Sequence, residues 1–531
     1  MSAPKFDILP ATHERTRAAS DPQNSAFVSA NAGSGKTHVL AQRVTRLLLA
    51  GSAPSTILCL TFTKAAAAEM KSRVFDDLRA WTMLPDEALD DVLRKLDGSS
   101  GPVNAQLRTR ARRLFAQALE TPGGLRVQTI HAFCEALLHQ FPLEAGIAGH
   151  FEVMDDALRE RLLVAATQAV VAQAYENSDL EEGFALAAIL DEVSEFGLRE
   201  GLSALTNMRE AFRAWVPVRQ SMHPALADLS QALGLAPRTS TDGLMGEFLT
   251  AHRPPVEMLR AHALIDASRT GAQGARAANA AALANGDTLS ARFDAAIDLL
   301  LTTDGKTGER KVRAKGQLAN KAVHEEMPQL LDVYTLAGEA LLAVEGQVAA
   351  ARAYDLTAAL VTIGQRVLDN FEREKNARGA LDFSDLVSRV ARLLQTGTAR
   401  HWVQYKLDQG IDHVLVDEAQ DTSPPQWVIV RKIIEDYFSG AGAAVGKAQR
   451  TIFAVGDEKQ SIYSFQGARP DLFGGQRLEL KSLAQEAEQP FADVTLTQSF
   501  RTSKPLLDAV DEVFANPLNS AGISTEQSVP A

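Results

Sequence analysis

Residues 30–37, Ala30-Asn31-Ala32-Gly33-Ser34-Gly35-Lys36-Thr37, constrain this chain more than any other stretch. A short apolar run, Ala26-Phe27-Val28, leads in, and a helical pattern of Val39, Leu40, Val44, Leu47 and Leu48 leads out. The order is strand, tight loop, helix, which is the setting in which a glycine-rich loop binds phosphate. Glycines let successive backbone N–H groups converge on one concavity, and the following helix adds the positive end of its dipole. In such a loop Lys36 reaches the β- and γ-phosphates of a nucleotide, and the Thr37 hydroxyl takes a place on Mg2+. The strict pattern asks for glycine at position 30; Ala30 stands there instead, with Gly33 added, so this position must accommodate a Cβ.

A second strand and helix follow at once. Thr56 to Phe62 is a β-branched and apolar run, and Ala65 to Leu78 is Ala-rich and helical. Two strand–helix units in succession imply a parallel α/β sheet with ligands at the carboxyl ends of its strands. Thr61-Phe62-Thr63-Lys64 lies at such an end, where Phe62 is either core or a platform for a stacked base. The same pattern returns far downstream. Val414-Leu415-Val416 ends in Asp417-Glu418-Ala419-Gln420-Asp421, and Thr451 to Val455 ends in Gly456-Asp457-Glu458-Lys459-Gln460-Ser461. Val494-Thr495-Leu496 then leads into Thr497-Gln498-Ser499-Phe500-Arg501. An acidic pair at a strand end suits nucleoside triphosphate hydrolysis: Asp417 holds Mg2+ through water, and Glu418 orients and deprotonates the attacking water.

Between these blocks, from about 155 to 380, the pattern is long and helical, with breaks near Pro217, Pro224, Pro237 and Pro254-Pro255 and no strand runs. It reads as an all-helical insertion. Ala272 to Asn285, rich in Ala and Gly, reads as an exposed or partly disordered helix. Gly305-Lys306-Thr307 is a decoy, because Leu300 stands where the first glycine of a phosphate loop belongs. The basic run around it, Lys306, Arg310, Lys311, Arg313 and Lys315, is either a solvated loop or a phosphate-backbone contact. His131 by itself reads as a packed or surface residue.

The chain has 531 residues and a net charge of -12, so several domains are expected and the total charge alone speaks against nucleic acid. Nucleic acid, however, responds to a local basic groove rather than to the sum. Two cysteines, Cys59 and Cys134, far apart and without metal-ligand spacing, exclude a disulfide framework or zinc site within the chain and point to a reducing cytoplasm. No signal core and no apolar run of transmembrane length is present, so no membrane partner is expected.

Taken together, the phosphate loop, Thr61-Phe62-Thr63, Asp417 to Asp421 and Gly456 to Tyr463 resemble the motif set of superfamily-one DNA helicases of the UvrD/Rep type. Within that group the chain is most similar to the AddA subunits of bacterial double-strand-break repair helicase-nucleases, notably in Val28 to Thr37 and in Leu381-Asp382-Phe383-Ser384-Asp385-Leu386. The resemblance implies a P-loop NTPase with a RecA-like parallel sheet and a large all-helical insertion. It divides the chain into a first motor domain in two parts (1–154 and 396–490), a helical insertion (155–395) and the truncated start of a second motor domain (491–531). It implies ATP with Mg2+ as cofactors, 3′ to 5′ movement on single-stranded or duplex-end DNA and, for a partner, a second helicase-nuclease component that is AddB-like. By motif, Gln460 resembles the γ-phosphate sensor, Arg501 an arginine finger and Phe500 the aromatic that packs on adenine. Phe62, Tyr463 and Phe465 fall in motifs facing unpaired bases, and Thr61, Thr63 and His131 match contacts to the DNA backbone. Arg15 stands where the family carries an adenine-reading glutamine, and Gln466 where an arginine often follows the aromatic. The chain ends before the last two helicase motifs and any nuclease domain, so a fragment is expected, with weak hydrolysis and no processive unwinding. The competing expectation is a non-catalytic, nucleotide-gated scaffold for a partner protein.

Overall fold

The computed structural model describes residues 8–216, 223–236, 239–395, 400–438, 449–463, 467–516 and 519. Six strands form one sheet: β1 (Ser25–Ala30), β2 (Ile57–Thr61), β3 (Arg126–Thr129), β4 (His413–Val416), β5 (Thr451–Gly456) and β6 (Phe491–Leu496). Their order is β6-β1-β5-β4-β2-β3, and every neighbouring pair is parallel. The side-chain period of two explains why the central strands are apolar throughout. Phe27, Leu58, Leu60, Val414, Val416, Ile452 and Ala454 belong to a core shared with residues of helices Ile130–Gln140, Phe383–Gln395 and Pro424–Ile434. Their neighbours Ala26, Val28, Ile57, Cys59, Leu415, Phe453 and Val455 belong to a second core, with helices Lys36–Ala50, Lys64–Met83 and Ala105–Glu120. Both faces are thus covered, as a parallel sheet requires. Both cysteines are buried and free.

The chain separates into two compact units, one of residues 1–159 with 375–531 and the other of residues 160–374. The sequence pattern places the helical insertion at 155–395; the segment 380–395 instead adds Leu386, Val390 and Leu394 to the core beside β2 and β4. Likewise Phe491–Leu496, expected to open a second motor domain, is the edge strand of this sheet, in register with β1 from Ser25↔Phe491 to Ala30↔Leu496. Val494 and Leu496 bury their side chains in the second core, which fixes that register.

The unit 160–374 is helical, with one departure from expectation: Leu301–Thr303 and Arg310–Val312 pair as a short antiparallel hairpin across the basic run. Strands of three residues carry too little alternation to be legible as such. Gly271–Asn285 is a packed helix, not a loose one. Ala277, Ala280, Leu283 and Ala284 are its buried positions, and small side chains let the neighbouring helices approach closely. Among the described residues no helix is long and apolar enough to cross a membrane.

Candidate nucleotide and nucleic-acid site

The phosphate loop sits at the carboxyl end of β1. Gly33 and Gly35 adopt φ of +74° and +90°, values that side-chain-bearing residues rarely hold, and helix Lys36–Ala50 starts directly after them. Ser34 Oγ donates to Asn31 O at 2.7 Å and closes the turn. Ala30 is the last residue of β1, with its methyl group buried in the core under the loop, so the missing first glycine costs no conformation. Gly33 is required for a second reason: a Cβ there would stand 2.9 Å from Arg501 Cβ.

Lys36 projects to the acidic strand end. Its Nζ lies 3.1 Å from Glu418 Oε2, across 382 residues of sequence. The sequence reading puts the two on neighbouring strands, but β5 lies between β1 and β4, so the loop and the acidic pair flank its carboxyl end. Asp417 is 8% exposed. Burial first, and then the adjacent Glu418 carboxylate, push its carboxyl up to about 7, against the opposing effect of the Glu418 N–H and Lys36. Glu418 holds φ of +50°, a left-handed conformation uncommon for a residue with a side chain and found disproportionately at functional sites.

Gln420, not singled out from sequence, ties the site together. Its Nε2 donates to Glu418 Oε2 at 2.8 Å and to Asp421 Oδ2 at 3.3 Å, and its Oε1 accepts the Asp457 N–H at 2.8 Å. It is 2% exposed. Gln460 Nε2 in turn donates to Asp457 Oδ2, so a chain of hydrogen bonds joins the ends of β4 and β5. Gly456 makes room for it, since a Cβ there would stand 2.4 Å from Gln420 Oε1.

The segment after β6 closes on the loop from its other side. The Phe500 N–H donates to Gly33 O at 2.8 Å, and the Phe500 ring passes 3.7 Å from where a Cβ on Gly35 would stand. Arg501 is exposed, with its stem against Gly33. Arg15 NH1 donates to Thr497 Oγ1 at 2.8 Å, while Gln498 Oε1 accepts from Thr12 Oγ1 and Leu9 N–H. The donor set suits a magnesium nucleotide: hard oxygens of Thr37 and Asp417 for a cation that keeps most ligands as water or phosphate, and loop N–H groups with Lys36 for the phosphates. A second cation near Asp417 also relieves the burial that now raises its carboxyl.

A separate group of rings lies at the ends of β2 and β3. Phe62 follows β2, is half-buried, and meets Tyr463 with ring centroids 4.1 Å apart at 38°. Thr63 caps helix Lys64–Met83 by accepting the Ala66 N–H, and Thr61 Oγ1 donates to Thr63 O at 3.0 Å, so both hydroxyls hold the turn that presents Phe62. His131, at the start of helix Ile130–Gln140, meets Phe383 edge-on at 5.4 Å, and burial holds its imidazole below the usual histidine range. Phe383, 47% exposed, was not singled out from sequence, although its motif was; an aromatic between two aspartates at a helix start was the available signal. Phe465 and Gln466 lie outside the described residues.

A family model described as UvrD/REP helicase N-terminal domain matches residues 11–478. Curated relatives are named as AddA-type subunits of an ATP-dependent helicase/nuclease. The protein so named from Latilactobacillus sakei is 27% identical over 97% of this chain and 55% of its own length. Those from Lactobacillus gasseri and Acetivibrio thermocellus are each 24% identical, over 96% and 95% of this chain but only 40% and 39% of their own lengths. The chain therefore spans about half, or less, of the length of these relatives.

Proposed function

The chain belongs to the UvrD/REP helicase family, and on that footing we propose that it is the N-terminal motor portion of an ATP-dependent 3′ to 5′ DNA helicase that serves double-strand-break repair. The relatives named as helicase/nuclease subunits support this reading, which includes an AddB-like partner and work in the cytoplasm. The observation that carries it is the approach of Lys36 Nζ to within 3.1 Å of Glu418 Oε2, which brings phosphate-loop cation and general base to one point.

Each residue then has a task. Lys36 is held by Glu418 until a γ-phosphate replaces the carboxylate as its partner, and this exchange frees Glu418 to orient and deprotonate the attacking water. Asp417 and Thr37 would hold Mg2+, which supplies charge neutralisation at the phosphates. Phe500 packs on the base, and Arg501 stabilises charge developing on the transferred group. Gln420 carries the position of Glu418 to Asp457 and Gln460, and three residues later Tyr463 meets Phe62. The rings Phe62, Tyr463 and Phe383, together with Phe465, form a stacking surface for unpaired bases, with Thr61, Thr63 and His131 beside the sugar-phosphate backbone. Nucleotide state and DNA grip are thereby joined through one short segment, Asp457 to Tyr463. The 531-residue chain by itself hydrolyses ATP weakly.

Glu418→Gln in the full-length protein tests the reading. DNA-stimulated ATP turnover should fall at least roughly a hundredfold while nucleotide affinity holds or tightens, because Lys36 loses its competing carboxylate. Parent-like turnover would leave the nucleotide-gated scaffold as the better account.

A further inference from the structure

We propose that Lys375 is a positioning residue for the DNA-facing rings: by neutralising the aspartates on either side of Phe383, it fixes that ring against His131. This rests on the reading of Phe383 and His131 as part of a nucleic-acid surface. Asp382 and Asp385 bracket Phe383 reciprocally, Asp382 Oδ1 accepting the Asp385 N–H and Asp385 Oδ2 accepting the Asp382 N–H, each at 3.0 Å. Two carboxylates so close and so buried repel each other and need a cation. Lys375, on the last turn of helix Leu330–Arg378, supplies it, with Nζ 2.6 Å from Asp385 Oδ2 and 3.5 Å from Asp382 Oδ2.

All three side chains are within 5% of full burial, whereas the Phe383 ring they flank is half in solvent. The backbone is also pinned from the preceding side, where Ala380–Leu381 pairs in parallel with Glu152–Val153. A buried ion cluster is weak evidence of stabilisation, since apolar residues often serve as well. Here the cluster does what apolar residues would not: it sets the first turn of helix Phe383–Gln395 through charge-assisted bonds to backbone N–H groups and so aims an exposed aromatic ring at a neighbour. The geometry accounts for an otherwise exposed phenylalanine held by fully buried charge.

The test uses the whole chain, with three readouts: affinity for a labelled oligothymidine, DNA-independent ATP turnover, and the His131 titration followed by NMR. Phe383→Ala should weaken oligothymidine binding about tenfold, the scale of one lost stacking contact. Lys375→Met should weaken it comparably, leave DNA-independent turnover within about twofold, and add little to Phe383→Ala in the double variant. It should also move the His131 titration back up toward the ordinary histidine range, because the ring no longer covers the imidazole. A folded Lys375→Met protein with parental affinity and parental His131 titration, or losses that add in the double variant, would overturn the proposal. Should Phe383→Ala alone leave affinity unchanged, the nucleic-acid reading of this face fails, and the His131 titration still decides whether Lys375 positions the ring. If Lys375→Met does not fold, Asp385→Asn, nearly the same size, must shift affinity and titration in the same directions by less; no shift in either would overturn the proposal.

Discussion

Two lysine–carboxylate clusters in the same unit meet opposite demands. Lys36 pairs with Glu418 where the two side chains remain 11% and 37% exposed. Lys375 pairs with Asp382 and Asp385 where none exceeds 5%. The first can exchange partners, because water and an incoming phosphate can reach both charges before either is left alone. The second cannot, since separating it would strand a charge without water, which costs about 3–5 kcal/mol when one member is removed. Exposure, more than distance, divides a contact that switches from one that only holds.

The largest contrast comes from removing each lysine in turn. Lys36→Met should abolish detectable ATP turnover, a loss of at least roughly a thousandfold, while leaving the thermal midpoint nearly unchanged. Lys375→Met should do the reverse, lowering the midpoint by several degrees with DNA-independent turnover almost intact. Calorimetry and a turnover assay on the same preparations check both. A Lys36→Met protein that also melts early would mean the exposed pair is structural, and the distinction would collapse.

A proton sharpens the comparison further. In the nucleotide-free state the Asp417 carboxyl is raised to about 7 by burial and by Glu418, well above its unfolded value. The native chain therefore binds more protons at this group than the unfolded chain across roughly pH 4 to 7, so its contribution to stability falls as pH rises through that window. Thermal midpoints of the nucleotide-free protein should accordingly decline between about pH 5 and 7.5 more than those of Asp417→Asn. Magnesium nucleotide favours the ionised carboxylate, so binding at about pH 7 should release up to about one proton, measurable by calorimetry in buffers of different ionisation enthalpy. Equal heats in both buffers would place the charge of Asp417 outside the nucleotide's reach.

How far such features can be read from sequence depends on whether their cause is local. Apolar runs mark the strands, glycines mark the loop, and Asp417-Glu418 stands out because acids seldom end a buried strand. Strand order is not local: nothing near Ala30 or Asp417 says that β5 runs between them. Nor is Gln420 legible, because its partners on β5 arise only once the sheet has formed. The helical character of 380–395 reads as part of the insertion, yet the apolar stripe Leu386, Val390 and Leu394 serves the other core. Lys375 is hidden for the same reason; one lysine in a charged helix carries no mark of the two aspartates it meets.

The smallest effect lies at the joint between the nucleotide and the rings. Gly456 has no side chain, and a Cβ there would crowd Gln420 Oε1 at 2.4 Å and Phe473 Cε2 at 2.7 Å. Phe473 is in the core and Gln420 is buried between two acids, so neither can swing outward freely. In Gly456→Ala the Gln420 amide must give up its bond to the Asp457 N–H, its bond to Glu418, or both. Losing one hydrogen bond of about 1 kcal/mol should lower DNA stimulation of turnover by roughly fivefold while nucleotide affinity and DNA-independent turnover stay close to parental. Measuring turnover with and without oligothymidine separates the two, because a defect confined to the stimulated rate means that Gln420 transmits and Lys36 and Glu418 still react. Equal loss of both rates would instead make Gln420 part of the reacting group itself, and the switching pair would then include a buried member.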